Sequence, residues 1–228
     1  VAEVANTGVM QGWGALQRDN PWPEFEWGSV ESFSLALDGG GRHLVTDKIK
    51  ENPDGILVEI GTFLGGSAIR WLNASDRLRV IGVDPWGGNW GPYVEQMKTH
   101  PSFLKHLPEG RDILEIASAI RKHGNFCIAL NNLRKFKDRF IPVRQKSPDV
   151  FDDLKRRGIK PDIIYIDAFK TPEDLDAAFA AFPNAVLCGD DWDWRNEEGV
   201  FQMRDNVNRF SQKHRKEVVA VGATWLLK

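Results

Sequence analysis

Three carboxylates and a lysine stand where apolar runs of the sequence end. Asp162-Ile163-Ile164-Tyr165-Ile166 delivers Asp167-Ala168-Phe169-Lys170, and Ala185-Val186-Leu187-Cys188-Gly189 delivers Asp190-Asp191. Uninterrupted apolar runs of this length suit strands covered on both faces. Ligands of open α/β sheets bind beyond the carboxyl ends of such strands, so Asp167, Asp190 and Asp191 are expected to converge there. Three clustered carboxylates repel one another strongly unless a cation sits among them. Oxygen-only ligation, with no Cys or His, favours Mg2+, with Mn2+ or Ca2+ as substitutes. Lys170 would lie beside such an ion, whose charge would lower the lysine pKa and make it a general base on an acceptor hydroxyl. A coordinated hydroxyl is itself more acidic and held in position. Asp190 or Asp191 alone could equally be a helix N-cap.

A second constellation lies upstream. Val58-Glu59-Ile60-Gly61-Thr62-Phe63-Leu64-Gly65-Gly66-Ser67 runs from a strand through a glycine turn into a helix. Glycines at 61 and 65 permit a sharp turn and close approach to a ligand, and the helix N-terminus presents N–H groups to it. The spacing is not the dinucleotide pattern G-x-G-x-x-G, and Glu59 suits a ligand carrying a positive amino group. The next strand, Arg79-Val80-Ile81-Gly82-Val83, ends in Asp84. About 20 residues beyond a glycine turn, an acidic side chain is placed to accept hydrogen bonds from ribose hydroxyls. Pro85 behind it also suits Asp84 to opening a turn.

The elements that must position these residues alternate. Strands are expected at 56–60, 79–83, 140–143, 162–166, 185–189, 217–221 and 223–227, with helices near 31–51, 66–74, 125–138, 148–157, 171–181 and 196–214. Gly222-Ala223 is too short for a helical crossover, so the last two strands must be antiparallel. The expected fold is therefore α/β and Rossmann-like: a seven-stranded, mostly parallel sheet with a C-terminal antiparallel hairpin and helices on both faces.

Glu59-Ile60-Gly61-Thr62-Phe63-Leu64-Gly65-Gly66-Ser67, Asp84, Asp167-x-x-Lys170 and Asp190-Asp191 resemble the class I methyltransferases that use S-adenosylmethionine. More narrowly, they resemble the metal-dependent O-methyltransferases of the catechol, caffeoyl-CoA and macrocin type, over about Asp38 to Trp192. The resemblance implies a cofactor site at Glu59, Gly61, Thr62, Phe63, Gly65, Ser67, Asp84, Pro85, Trp86, Lys146, Ser147 and Asp167. Within it, Glu59, Gly61 and Ser67 would surround the methionine part, Asp84 would hold the ribose, and Ser147 would lie at the adenine edge. It further implies a divalent metal on Asp167, Asp190 and Asp191, with Lys170 as base. Asp191 stands where catechol enzymes often carry Asn, which resembles the macrocin and cephalosporin-hydroxylase-like branches. The residues around Trp192, Asp193 and Trp194 do not match the catechol pocket. The implied activity is metal-assisted O-methyl transfer to a phenolic or sugar-like small molecule. A cephalosporin-hydroxylase-like modifying enzyme and a non-catalytic S-adenosylmethionine-binding protein are the alternatives.

Composition agrees with this. A chain of 228 residues supports one sizeable core, and a net charge of −2 gives no electrostatic case for nucleic acid or anionic membranes. Neither a membrane-length apolar run nor a signal-like N-terminus is expected to interrupt a cytoplasmic enzyme, and Cys127 and Cys188 read as buried thiols. Two segments fall outside the core. Residues 1–30, with Trp13, Trp22, Phe25 and Trp27, read as an arm that could pack on a second subunit, cover the site or strap the core. Residues 85–123 read as an insertion forming a lid or specificity element, with helices near 93–106 and 110–122. Trp86 and Trp90 on it, facing Trp192 and Trp194, are expected to wall an acceptor pocket. His100, His106 and His123 match no metal spacing.

Overall fold

The computed structural model describes residues 2–30, 33, 39–99, 104, 107, 110–168 and 171–228, with the side chains of residues 2–10 left aside. Lys170, the expected base, and His100 and His106 lie outside the described residues. Seven strands form one sheet in the order β3-β2-β1-β4-β5-β7-β6. They are β1 (Ile56–Ile60), β2 (Arg79–Val83), β3 (Phe140–Val143), β4 (Ile163–Ile166), β5 (Val186–Gly189), β6 (Val218–Val221) and β7 (Thr224–Leu227). The pairs from β3 through β5 are parallel, and β7 runs antiparallel to both β5 and β6. Strand order reverses at β1, which is flanked by β2 and β4, and a crevice opens at such a switch point.

Side-chain alternation along the strands creates two apolar faces. Ile56, Val58 and Ile60 join Ile81, Val83, Ile164 and Ile166 on one. Leu57, Val80, Phe140, Ile163 and Tyr165 meet on the other. The first face is covered by α1 (Ala2–Asp19), α6 (Asp149–Arg156), α7 (Pro172–Ala181) and α8 (Gln202–His214). The second is covered by α2 (His43–Glu51), α3 (Gly66–Ala74) and the C-terminal half of α5 (Ile113–Leu133). Each fully buried Leu or Ile contributes roughly 1.5–3 kcal/mol, so this double burial dominates the fold's stability.

The strand expectations hold to within a residue, whereas several helices differ. Of the helix expected at 31–51, α2 covers His43–Glu51, and Gly40 and Gly41 just before it take φ of 90° and 87°; residues 31, 32 and 34–38 lie outside the described residues. The helices expected at 110–122 and 125–138 are one run, α5, interrupted at Gly124 (φ 77°, ψ 152°). Asp112 starts it with a capping box: its Oδ1 accepts from the Leu114 N–H at 2.7 Å, and Glu115 accepts from the Asp112 N–H. The short helix α4 (Gly91–Gln96) and the first half of α5 build a third apolar cluster around Leu64, Val94, Ile116 and Ile120. Residues 11–30 lie against the core: Trp13 and Leu16 are buried with the first face, and Trp22, Phe25 and Trp27 pack on the second. An Arg157–Asp19 ion pair ties the end of α1 to the end of α6. Among the described residues, no helix is long and apolar enough to cross a membrane.

Candidate active site

A cavity of about 810 Å³ opens at the C-terminal ends of β1, β2, β4 and β5. Of the sequence-expected cofactor residues, Gly61, Thr62, Phe63, Ser67, Asp84, Pro85, Lys146, Ser147 and Asp167 line it. Glu59, Gly65 and Trp86 do not.

Each exception has a physical reason. Alternation along β1 turns Glu59 to the α2–α3 face, where it is fully buried and its Oε1 accepts a 2.9 Å hydrogen bond from Trp71 Nε1. Burial raises its pKa, opposed by Ser67, Trp71, Thr62 and Arg42. Gly65, with φ 82°, caps α3 in the left-handed region, and a Cβ there would stand 2.7 Å from Leu133 Cδ1 on α5. Its absence of side chain serves helix packing rather than ligand approach. Trp86 is 5% exposed and its Nε1 donates to the Phe63 carbonyl at 2.7 Å.

That bond belongs to a latch around Asp84. Asp84 Oδ2 accepts from the Phe63 N–H at 3.0 Å, and Oδ1 accepts from the Trp86 N–H at 2.6 Å. Phe63 and Trp86 have φ of 47° and 42°, a region costly for aromatic residues, so the carboxylate holds two strained turns in place. Burial raises the Asp84 pKa, and the two backbone donors oppose it. Gly61 (φ 93°) is squeezed between strand ends: its N–H donates to the Val83 carbonyl at 2.8 Å, and a Cβ would collide with the Asp167 carbonyl. No side chain caps α3, whose first residues Gly66 and Ser67 line the cavity, and the first N–H groups of a helix have no partner within it.

At the other end, Asp167, Asp190 and Asp191 all line the cavity, as expected, together with Arg42, which sequence reasoning missed. Arg42 is 3% exposed, and its Nη2 donates to Asp190 Oδ2 at 2.9 Å across 148 residues of chain. Burial works against the guanidinium charge, but Tyr165, Asp190 and Asp167 hold its pKa above the ordinary value. Asp167 faces the cavity but is otherwise enclosed. Burial, then repulsion from Asp190 and Asp191, raises its pKa well above the usual range, with Arg42 opposing. Trp225 Nε1 on β7 donates to the Asp190 carbonyl at 2.9 Å and fixes that strand end.

The loop Gly39-Gly40-Gly41 places Arg42. A Cβ on Gly41 would strike the Val221 carbonyl and one on Gly39 the Ala223 side chain. The loop thus nests in the β6–β7 turn, where Ala223 N–H donates to the Gly39 carbonyl at 3.2 Å and Thr224 Oγ1 to the Gly40 carbonyl at 2.9 Å. Three glycines before a lone arginine were the available signal.

The three aspartates, as they are arranged, do not form a site for a divalent ion. Among the described residues, which include all three aspartates, no group of three carboxylate, imidazole or thiol side chains is disposed to hold a metal. One Asp190 oxygen is already committed to a buried guanidinium. The other, Oδ1, has no hydrogen-bond partner, but an ion on it would stand beside that guanidinium.

The acceptor wall also departs from expectation. Trp90 lines the cavity, but its partners are Phe63 (ring centroids 5.7 Å apart) and Tyr93 (5.1 Å), both edge-on. Trp192 and Trp194 are absent from the lining: Trp192 packs on the first core face under Arg204, and Trp194 is 42% exposed. Trp90 and Tyr93 are 39% and 45% exposed, an uncovered aromatic edge beside the cavity.

No family model matches the chain, and no curated protein does. Solved structures do. The cofactor-bound protein Rv0187 from MTB is 16% identical, with a TM-score of 0.52 over 98% of this chain and 88% of that one. A precorrin-6y C5,15-methyltransferase from Geobacter metallireducens is 15% identical, with a TM-score of 0.51 over 88% and 93%. A candidate caffeoyl-CoA O-methyltransferase from Staphylococcus aureus is 14% identical, with a TM-score of 0.50 over 94% and 88%. The chain shares the fold of the class I methyltransferases.

Proposed function

We propose that the protein transfers a methyl group from S-adenosylmethionine to a hydroxyl of a small phenolic or sugar-like acceptor. The observation that carries this is the cavity itself. Its volume lies within the roughly 300–1,000 Å³ of small-molecule sites, with a glycine turn, Asp84 and a helix N-terminus at one end and three aspartates with Arg42 at the other. The α3 N-terminus suits the methionine carboxylate, the latched Asp84 retains lone pairs for ribose hydroxyls, and Lys146 and Ser147 border the adenine position. The sulfonium is cationic, and Asp167, Asp190 and Asp191 outnumber Arg42 around it.

In the transfer, an acceptor oxygen attacks the methyl carbon as the carbon–sulfur bond breaks, and the hydroxyl proton passes to a base. Lys170 is the proposed base, with the positive charges of the sulfonium and Arg42 taking the ion's part in favouring its neutral form; the described residues on either side of it, Ala168 and Thr171, line the cavity. Holding both reactants in line supplies much of the rate. The Phe63–Trp90–Tyr93 edge offers flat apolar faces to an aromatic ring or sugar.

Calorimetric titration with S-adenosylhomocysteine tests the cofactor half, with micromolar binding expected. Absence of binding would overturn the proposal. Formation of S-adenosylhomocysteine from S-adenosylmethionine on adding a catechol or sugar diol tests the transfer. Cofactor binding without turnover on any such acceptor would reduce the protein to a binding module.

A further inference from the structure

We infer that Arg42 is the built-in cation of the Asp167–Asp190–Asp191 cluster, standing where a divalent ion would otherwise be needed, so that the site works without metal. Its bearing on catalysis rests on the methyl-transfer function proposed above, but the charge argument does not.

Three carboxylates at adjacent strand ends need a counter-charge in a poorly solvated crevice. Arg42 supplies part of it from inside the protein, hydrogen-bonded to Asp190 Oδ2 at 2.9 Å and acting electrostatically on Asp167. The placement is not incidental to helix formation. Arg42 is the N-cap of α2, where the helix dipole disfavours a cation, and it makes no side-chain cap bond to its own helix. What holds it there is the glycine loop nested under Gly222 and Ala223 and the aspartate it meets. A guanidinium stays protonated throughout the physiological range and offers a planar set of donors, so it neutralises and orients carboxylates as a fixed part of the fold. A dication entering the cluster could take Asp190 only through Oδ1, the oxygen without a hydrogen-bond partner, and would stand beside a fixed, buried positive charge.

A consequence for specificity follows. A metal recruits acceptors through two adjacent oxygens, whereas an arginine–carboxylate cluster holds a hydroxyl by single hydrogen bonds. The acceptor therefore needs only one hydroxyl within reach of the methyl group, and its selection falls to the Phe63–Trp90–Tyr93 wall.

Titrating Mn2+ into the full-length protein, with free Mn2+ read by electron paramagnetic resonance and S-adenosylhomocysteine binding measured on the same samples, tests this. Wild type is expected to bind no Mn2+ tighter than about 1 mM, and Arg42→Lys, which keeps the charge, is expected to behave likewise. Arg42→Ala should gain a site at least about tenfold tighter, lost again on adding Asp190→Asn. If Arg42→Ala does not fold, Arg42→Gln, which keeps most of the volume without the charge, carries the same test. Mn2+ binding by wild type that Asp190→Asn abolishes would overturn the inference. So would a folded Arg42→Ala or Arg42→Gln protein that gains no site. Wild type that binds both Mn2+ and S-adenosylhomocysteine refutes the Arg42 role alone. Wild type that binds neither refutes the cofactor assignment alone.

Discussion

The two ends of the cavity are held by different forces. At the β1–β2 end, main-chain hydrogen bonds do the positioning: Asp84 grips the N–H groups of Phe63 and Trp86, and the donors lie within 21 residues. At the β4–β5 end a buried ion pair does it, between Arg42 and Asp190, 148 residues apart. The first arrangement is local and neutralises no opposite charge. The second depends on the whole sheet being assembled, and leaves more carboxylate than cation in the crevice. One end is thus preorganised by geometry and the other by electrostatics.

Breaking the seam between the ends should have the largest effect. Gly61→Ala forces a Cβ into the Asp167 carbonyl at a φ of 93°, and should cost above about 4 kcal/mol or prevent folding, read by urea denaturation. Arg42→Met strands Asp190 and should destabilise by roughly 3 kcal/mol, while adding Asp190→Leu should recover most of it. If the double variant is no more stable than Arg42→Met, the ion pair is not what orders that end. Asp84→Ala removes two charge-assisted bonds, for about 2 kcal/mol, and should weaken S-adenosylhomocysteine binding by at least tenfold, with the Arg42 end intact by its Mn2+ response.

The smallest expected effect separates the ends by pH. Burial and the neighbouring carboxylates raise the Asp167 pKa in the folded protein. The folded state therefore keeps this proton to higher pH than the unfolded chain does. The resulting stability is complete below about pH 4, the unfolded value, and is lost as pH rises through the folded value. Asp167→Asn should then melt roughly 2–4 °C above wild type at pH 8, with the gap closing towards pH 4. A gap independent of pH would mean that Asp167 is not strained by its charge.

What could be read along the chain was whatever depends on neighbours in sequence. Apolar runs such as Ile56–Ile60 and Arg79–Val83 announce buried strands, because both faces of a parallel sheet must be apolar. Gly222-Ala223 forces a hairpin, and the glycine turn with Asp84 marks one end of the cavity, since those constraints act over a few residues. The side-chain roles were less legible. Glu59 looked like a ligand contact because it precedes the glycine turn, yet strand alternation points it at Trp71. Trp192 and Trp194 looked like part of an acceptor wall, yet neither lines the cavity, where Phe63 and Tyr93 stand beside Trp90. The sequence by itself determined the strands, the hairpin and the three aspartates at their tips. Only the tertiary structure decided which cation those aspartates would meet. The glycine loop that brings Arg42 to Asp190 has meaning only once β7 lies beside β5, and no local periodicity encodes a contact of that range.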